Sequence, residues 1–240
     1  MQNDEDFSYS YTPFERYRYP LEYENNAESI QTTINSCLEQ AWLNSPSKNN
    51  FMPYTVHVIG EGNKDIKELI YYKCLQQQSR ANGNEVKYKD LKNYENSLYP
   101  YFVPSFRNIK SASHVLLFSQ RIAQADLNNA QKKLIDNGYV YEQTATQGLK
   151  KRAGEELAYL EIGIFSTIFA SICLKRGIDV SHTKCIPGSL DYWTEECFNF
   201  LDSVPLLVMA VGKGKQYRRD EMSKDADLKP SFDKIIKFER

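Results

Sequence analysis

Apolar residues recur along this chain at two different periods, and the switches between them outline its elements. Across residues 27–44, Ile30, Ile34, Cys37, Leu38, Ala41 and Trp42 fall on one face of a helix, and Pro46 stops it. Residues 54–59 (YTVHVI) read as a strand ended by Gly60 and Gly62, and residues 64–78 as a second helix. Residues 81–100 are polar and rich in Asn and Lys, which predicts a loop. A short apolar strand follows at 114–119 (HVLLFS), then a helix near 123–136 and a loop. A long helix runs over 150–175 and ends at Gly177, a residue that adopts the left-handed stop at little cost. A short helix at 190–200, a fully buried strand at 204–211 (VPLLVMAV), a charged loop at 213–228 and a closing strand at 235–238 (IIKF) complete the pattern. Residues 1–13 are acidic, rich in Tyr and without periodicity, so they read as a mobile arm on a single domain of residues 14–240. Strands separated by long helices, with no repeat and no Pro/Gly-rich linker, predict an α+β fold.

Composition narrows the function classes. Of 240 residues, 41% are hydrophobic and 25% charged, and the net charge of −1 leaves no electrostatic footprint for nucleic acid or an anionic membrane. Five cysteines at wide spacings, with no CxxC, argue against a disulfide framework or a zinc site and for a reducing compartment, so the expected location is cytoplasmic. The opening residues, MQNDEDFSYS, do not read as a signal peptide. The stretch 157–174 (LAYLEIGIFSTIFASICL) reaches the minimum length for a membrane span. It carries Glu161, Ser166, Thr167 and Ser171 and has no companion span, so it reads as the central helix of a packed core. GxGxxG, the P-loop, HExxH and GxSxG are all missing, and His57, His114 and His182 lie far apart, so no metal is expected.

The junction between the first helix and the first of these strands, residues 45–54 (SPSKNNFMPY), gathers hydroxyls and amides between Pro46 and Pro53. Such a cluster can hydrogen-bond a planar heterocycle or a polyol, and it equally suits a loop capped by its own Ser and Asn side chains. The segment resembles the junction of the nitroreductase family of flavoproteins, roughly [AS]-P-S-x-x-N-x-Q-P-W. Ser45, Pro46, Ser47, Asn50 and Pro53 match, while Met52 replaces the Gln and Tyr54 the Trp. Five further segments resemble the family in the same order: 14–20 (FERYRYP), 111–119 (SASHVLLFS), 155–181, 204–214 (VPLLVMAVGKG) and 228–239 (LKPSFDKIIKFE). The resemblance covers residues 14–240.

The resemblance implies a nitroreductase-like fold: a central, mostly antiparallel sheet flanked by helices, a long buried central helix and an intertwined homodimer. It implies FMN as cofactor, with NADH or NADPH as electron donor and a small planar acceptor, a nitroaromatic or a quinone, reduced in a ping-pong cycle. No side chain is then expected to be catalytic, because FMN carries the chemistry. Ser45, Pro46, Ser47 and Asn50 would line the flavin. Arg16, Tyr17 and Arg18 would meet Lys229 at its phosphate, although the arginines also read as two surface charges among tyrosines. Thr183 and Lys184 occupy the loop that touches the ring in relatives, where many relatives carry a Gly that this chain lacks. Arg107 would stand near the N1/O2 edge of the ring. Tyr139 and Tyr141 beside Gly138 would form a lid over the acceptor pocket, or equally a short edge strand. Two alternatives stay open: a flavin-binding or regulatory protein with little turnover, and a specialised branch such as a dehalogenase or flavin-fragmenting enzyme.

Overall fold

Val, Leu and Ile dominate the strands that build the core, and their side chains divide cleanly between two faces. The computed structural model describes residues 20–24, 29–47, 52–98, 105–121, 133, 136–137, 151–184, 186, 188–194, 198–201 and 203–217. In chain order the elements are β1 (Pro20–Tyr23), α1 (Gln31–Asn44), β2 (Tyr54–Ile59), α2 (Lys64–Ala81), α3 (Leu91–Leu98), β3 (His114–Gln120), α4 (Lys151–Lys175), β4 (Asp179–Thr183), α5 (Leu190–Thr194), β5 (Pro205–Gly212) and β6 (Gly214–Tyr217). Single 3-10 turns occupy Tyr88–Asp90 and Ser105–Ile109.

β2, β3, β5 and β4 form, in that order, a four-stranded sheet in which every pair is antiparallel, and β1 pairs with β6 in a second, two-stranded sheet. Alternation along a strand sends Val115 and Leu117 of β3, with Val208 and Ala210 of β5, into a core shared with α2 and α3. Leu116, Phe118, Met209 and Val211 point the other way, onto α1 and α4. The architecture is therefore helix, sheet, helix, and each sheet face is covered. A Cβ on Gly212 would stand 2.8 Å from Tyr23 Cδ1. Tyr23 is pinned there by its hydroxyl, which donates to the Ala210 carbonyl at 2.8 Å. Gly212 is thus a packing glycine where β5 passes under β1, not part of a phosphate loop.

The central helix is α4. Ala158, Glu161, Ile162, Phe165, Phe169 and Cys173 are buried, while Leu160 is 63% and Tyr159 43% exposed. Its segment Glu156–Lys175 is long and apolar enough to cross a membrane, but here one face packs on the sheet and on α1. Gly177 follows at φ +70°, the left-handed stop expected of it.

Several expectations need correction. Trp42 does not join the buried face of α1: it is 58% exposed, because the buried face is set by Ile34, Cys37 and Ala41 and Trp42 lies one position round the helix from it. α1 begins at Gln31, and α2 continues to Ala81. Residues 81–100 are not one loop, since they contain a 3-10 turn and α3, whose Leu91 is buried. The helix expected over 190–200 stops at Thr194, and Phe198, Phe200 and Leu201 follow outside any helix. β1, β4 and β6 have no counterpart in the hydropathy pattern. Of the helix near 123–136, only Lys133 and Asp136 are described, both helical, and the arm 1–13 and the strand 235–238 lie outside the described residues.

Candidate functional site

Antiparallel pairing brings four chain segments to one end of the larger sheet. Tyr54, which opens β2, pairs with Gln120, which closes β3. Ser119 pairs with Pro205 at the start of β5, and Thr183 at the end of β4 pairs with Val208. Residues 45–47 and 52–53 of the junction, Arg121, Ser203 and Lys184 therefore lie at this end, although they are spread over most of the sequence.

The junction leaves α1 at its C-terminus. Ser45 is buried, and its hydroxyl donates to the Ala41 carbonyl one turn back at 2.6 Å. Ser47 reaches across to α4 and donates to Glu161 Oε2 at 2.6 Å. The same hydroxyl oxygen accepts the Met52 N–H at 2.8 Å, closing the loop on itself. Met52 has φ +44°, the one non-glycine residue with positive φ among the described residues. The Tyr54 hydroxyl lies 3.3 Å from Met52 Sδ, and Arg121 Nε donates to the Met52 carbonyl at 2.7 Å. Burial, with the Glu161 charge adding to it, pushes the Tyr54 phenol well above its ordinary value, so it stays protonated.

At the end of β4, Thr183 is buried and Lys184 exposed. Lys184 Nζ donates to the Leu206 carbonyl at 2.7 Å and to the Tyr159 hydroxyl at 2.9 Å, and lies 4.1 Å from the centre of the Tyr159 ring. Tyr159 and Glu161 share one turn of α4. The junction and the β4 end are thus both anchored to the same turn, one on its buried side and the other on its open side.

Of the residues expected to form a site, Ser45, Pro46, Ser47, Thr183 and Lys184 lie at this end of the sheet, the first three beside β2 and the last two at β4, with β3 and β5 between. Arg107 does not join them within one chain. It lies in the 3-10 turn Ser105–Ile109, whose Phe106 and Ile109 pack in the core on the α2 side, across the sheet from the junction. Arg16, Tyr17, Arg18, Asn50, Tyr139, Tyr141 and Lys229 lie outside the described residues. Sequence reasoning missed Arg121 and Tyr159, which carry no motif. It registered Glu161 only as a charge inside an apolar helix, and that oddity was the available signal. The chemistry also differs from expectation in one respect. The single proton of the Ser47 hydroxyl goes to Glu161, so toward a ligand this side chain offers no donor.

No family model and no curated protein sequence matches the chain. Solved structures do match its fold. A presumptive NAD(P)H:FMN oxidoreductase from Staphylococcus epidermidis superposes with a TM-score of 0.60 at 12% identity, over 92% of each chain. A nitroreductase family protein from Streptococcus pneumoniae gives 0.55 at 13% identity, over 95% of this chain and 98% of the other. A presumptive nitroreductase from Exiguobacterium sibiricum, solved in complex with FMN, gives 0.52 at 14% identity, over 93% of each. The chain has the nitroreductase-like fold.

Proposed function

We propose that this chain is an FMN-dependent oxidoreductase that takes hydride from NADH or NADPH and passes it to a planar acceptor such as a nitroaromatic or a quinone. The observation that carries the reading is that the described ends of the 45–54 junction and the Thr183–Lys184 end of β4 lie at the same end of the antiparallel sheet. The family resemblance implies a flavin contact for both segments, and their shared end, in a fold shared with an FMN-bound structure, supports that reading. The residues present fit such a group. Ser45, Ser47 and the Met52 N–H have their hydrogen bonds made within the chain, so the described ends of the junction are held in place. Lys184, held from behind by Leu206 and Tyr159, keeps a positive charge at the same end, which suits the electron-rich side of a reduced ring.

When bound, FMN supplies hydride acceptance and hydride delivery, chemistry that no side chain can provide. The protein's part is to bind, orient and exclude. Ser45, Pro46, Ser47 and Asn50 would border the flavin through their backbone, and Thr183 and Lys184 would face the ring. Arg16, Tyr17, Arg18 and Lys229 would hold the phosphate, where charge-assisted hydrogen bonds are strongest. Tyr139 and Tyr141 would cover the acceptor. A second copy of the chain would complete the site as a homodimer. A second reading, a flavin binder with little turnover, is favoured by the internal commitment of the Lys184 ammonium.

The test is a visible absorption spectrum of the purified protein, with the released flavin identified by mass, followed by anaerobic titration with NADH and NADPH. The expected outcome is a yellow protein that yields FMN and bleaches with one of the two donors. A colourless protein that FMN does not reconstitute would overturn the assignment, and a yellow protein that neither donor bleaches would select the second reading.

A further inference from the structure

Glu161 is an expensive residue where it stands. It is 4% exposed in an apolar helix, and α4 already has Phe165, Phe169 and Cys173 to pack against the sheet and α1. A buried carboxylate is costly unless its oxygens are met by donors. A leucine or methionine here would serve helix packing better. Its described partner, at 2.6 Å, is the hydroxyl of Ser47 in the junction. From Ser47 the chain of contacts passes to the Met52 N–H, and Met52 is held in addition at its carbonyl by Arg121 and at its sulfur by Tyr54. The residue so heavily held is the one in a left-handed conformation that a side chain other than Gly adopts only at a cost of about 1–2 kcal/mol. Without its clamp Met52 would relax to a lower-energy conformation.

We propose that Glu161 is a positioning residue for the cofactor site: acting through Ser47, its carboxylate fixes the conformation of Met52 at the entry to β2 and hence the backbone edge there that meets the flavin. The inference rests on the FMN reading, and it assigns to one buried charge on α4 the setting of that site's affinity. It also accounts for the Ser at position 47, whose hydroxyl serves as a relay between helix and loop.

Two readouts test it in Glu161→Leu, Ser47→Ala and the double variant. The first needs no cofactor. Hydrogen–deuterium exchange should find the Met52 amide protected in the parent and exposed in both single variants. The second is FMN affinity measured on folded protein. Each single variant should weaken binding by about tenfold or more, the scale of a hydrogen bond to a charged group. The double variant should bind no worse than Ser47→Ala alone, because both changes cut one chain of contacts. Leucine keeps most of the volume of Glu161 but accepts no hydrogen bond, and Ser47→Ala, at a half-buried loop position, cuts the same chain should the helix variant fold poorly. Unchanged Met52 protection, or FMN affinities within about twofold of the parent, would reduce Glu161 to a structural residue. A parent that protects Met52 yet binds no FMN would overturn the flavin reading while leaving the clamp standing.

Discussion

His114 illustrates how one buried residue makes stability depend on pH. It is fully buried at the start of β3, with Nδ1 bonded to Ser113 Oγ at 2.9 Å and Nε2 to Gln31 Oε1 at 2.5 Å. Glu61 and Lys67 are the charged groups that act on it. Burial lowers its pKa below the ordinary 6.5; Glu61 opposes this and Lys67 adds to it. Burial alone would raise the Glu61 carboxyl, but the Ile30 N–H and the Ser113 hydroxyl that it accepts hold it below its ordinary value. The unfolded chain thus takes up protons that the folded chain refuses. The stability from His114 is complete above pH 6.5 and is lost as pH falls through that value toward the folded pKa, and the Glu61 contribution declines in the same direction at lower pH. The urea midpoint should therefore fall between about pH 7.5 and about pH 5.5, and by less in His114→Asn. An equal fall in parent and variant would assign the effect to other groups.

Among the elements, α4 carries the most demands. Its inner face stacks Phe165 on Phe169 at 6.4 Å and meets Cys37 of α1 through Cys173. Cys37, Cys74 and Cys173 are buried thiols outside any disulfide and pack as small side chains in the core. Phe169 is fully buried between the sheet and α1, so Phe169→Ala should cost about 3–5 kcal/mol by chemical denaturation. A loss below about 1 kcal/mol would mean that the space collapses and that the layer is looser than its packing implies. The outer face carries Tyr159 and Leu160, and no hydropathy argument separates the two faces, because the helix is apolar nearly all round.

At the scale of the whole molecule, those two residues join Trp42 and Leu43 on the helical layer of α1 and α4. The four are 43%, 63%, 58% and 67% exposed respectively. Their exposure makes this layer the place where the proposed homodimer would bury apolar surface. A second copy is the occupant consistent with the proposed homodimer. Light scattering should then give twice the chain mass at micromolar concentration. Leu160→Glu, at a position that costs the fold little, should shift the protein toward monomer. A parent that stays monomeric with FMN bound would remove the dimer from the proposal.

By itself the sequence determined which stretches are helices and strands wherever burial is one-sided and long enough to write a period. α1, β2, α2, β3, α4 and β5 all fall within a few residues of their hydropathy pattern. β1, β4 and β6, of four or five residues each, are too short to write one, and α3 is hidden by its Asn and Lys. The 45–54 junction was recognisable because its residue types crowd together locally. What its side chains do was decided by tertiary structure alone. Ser47 meets a partner 114 positions away, Lys184 caps the Leu206 carbonyl of a neighbouring strand, and Trp42 faces outward while Ala41 beside it is fully buried. Periodicity records whether a position is buried, since burial depends on the local face of one element. It does not record what a position is buried against, which depends on how distant elements pack.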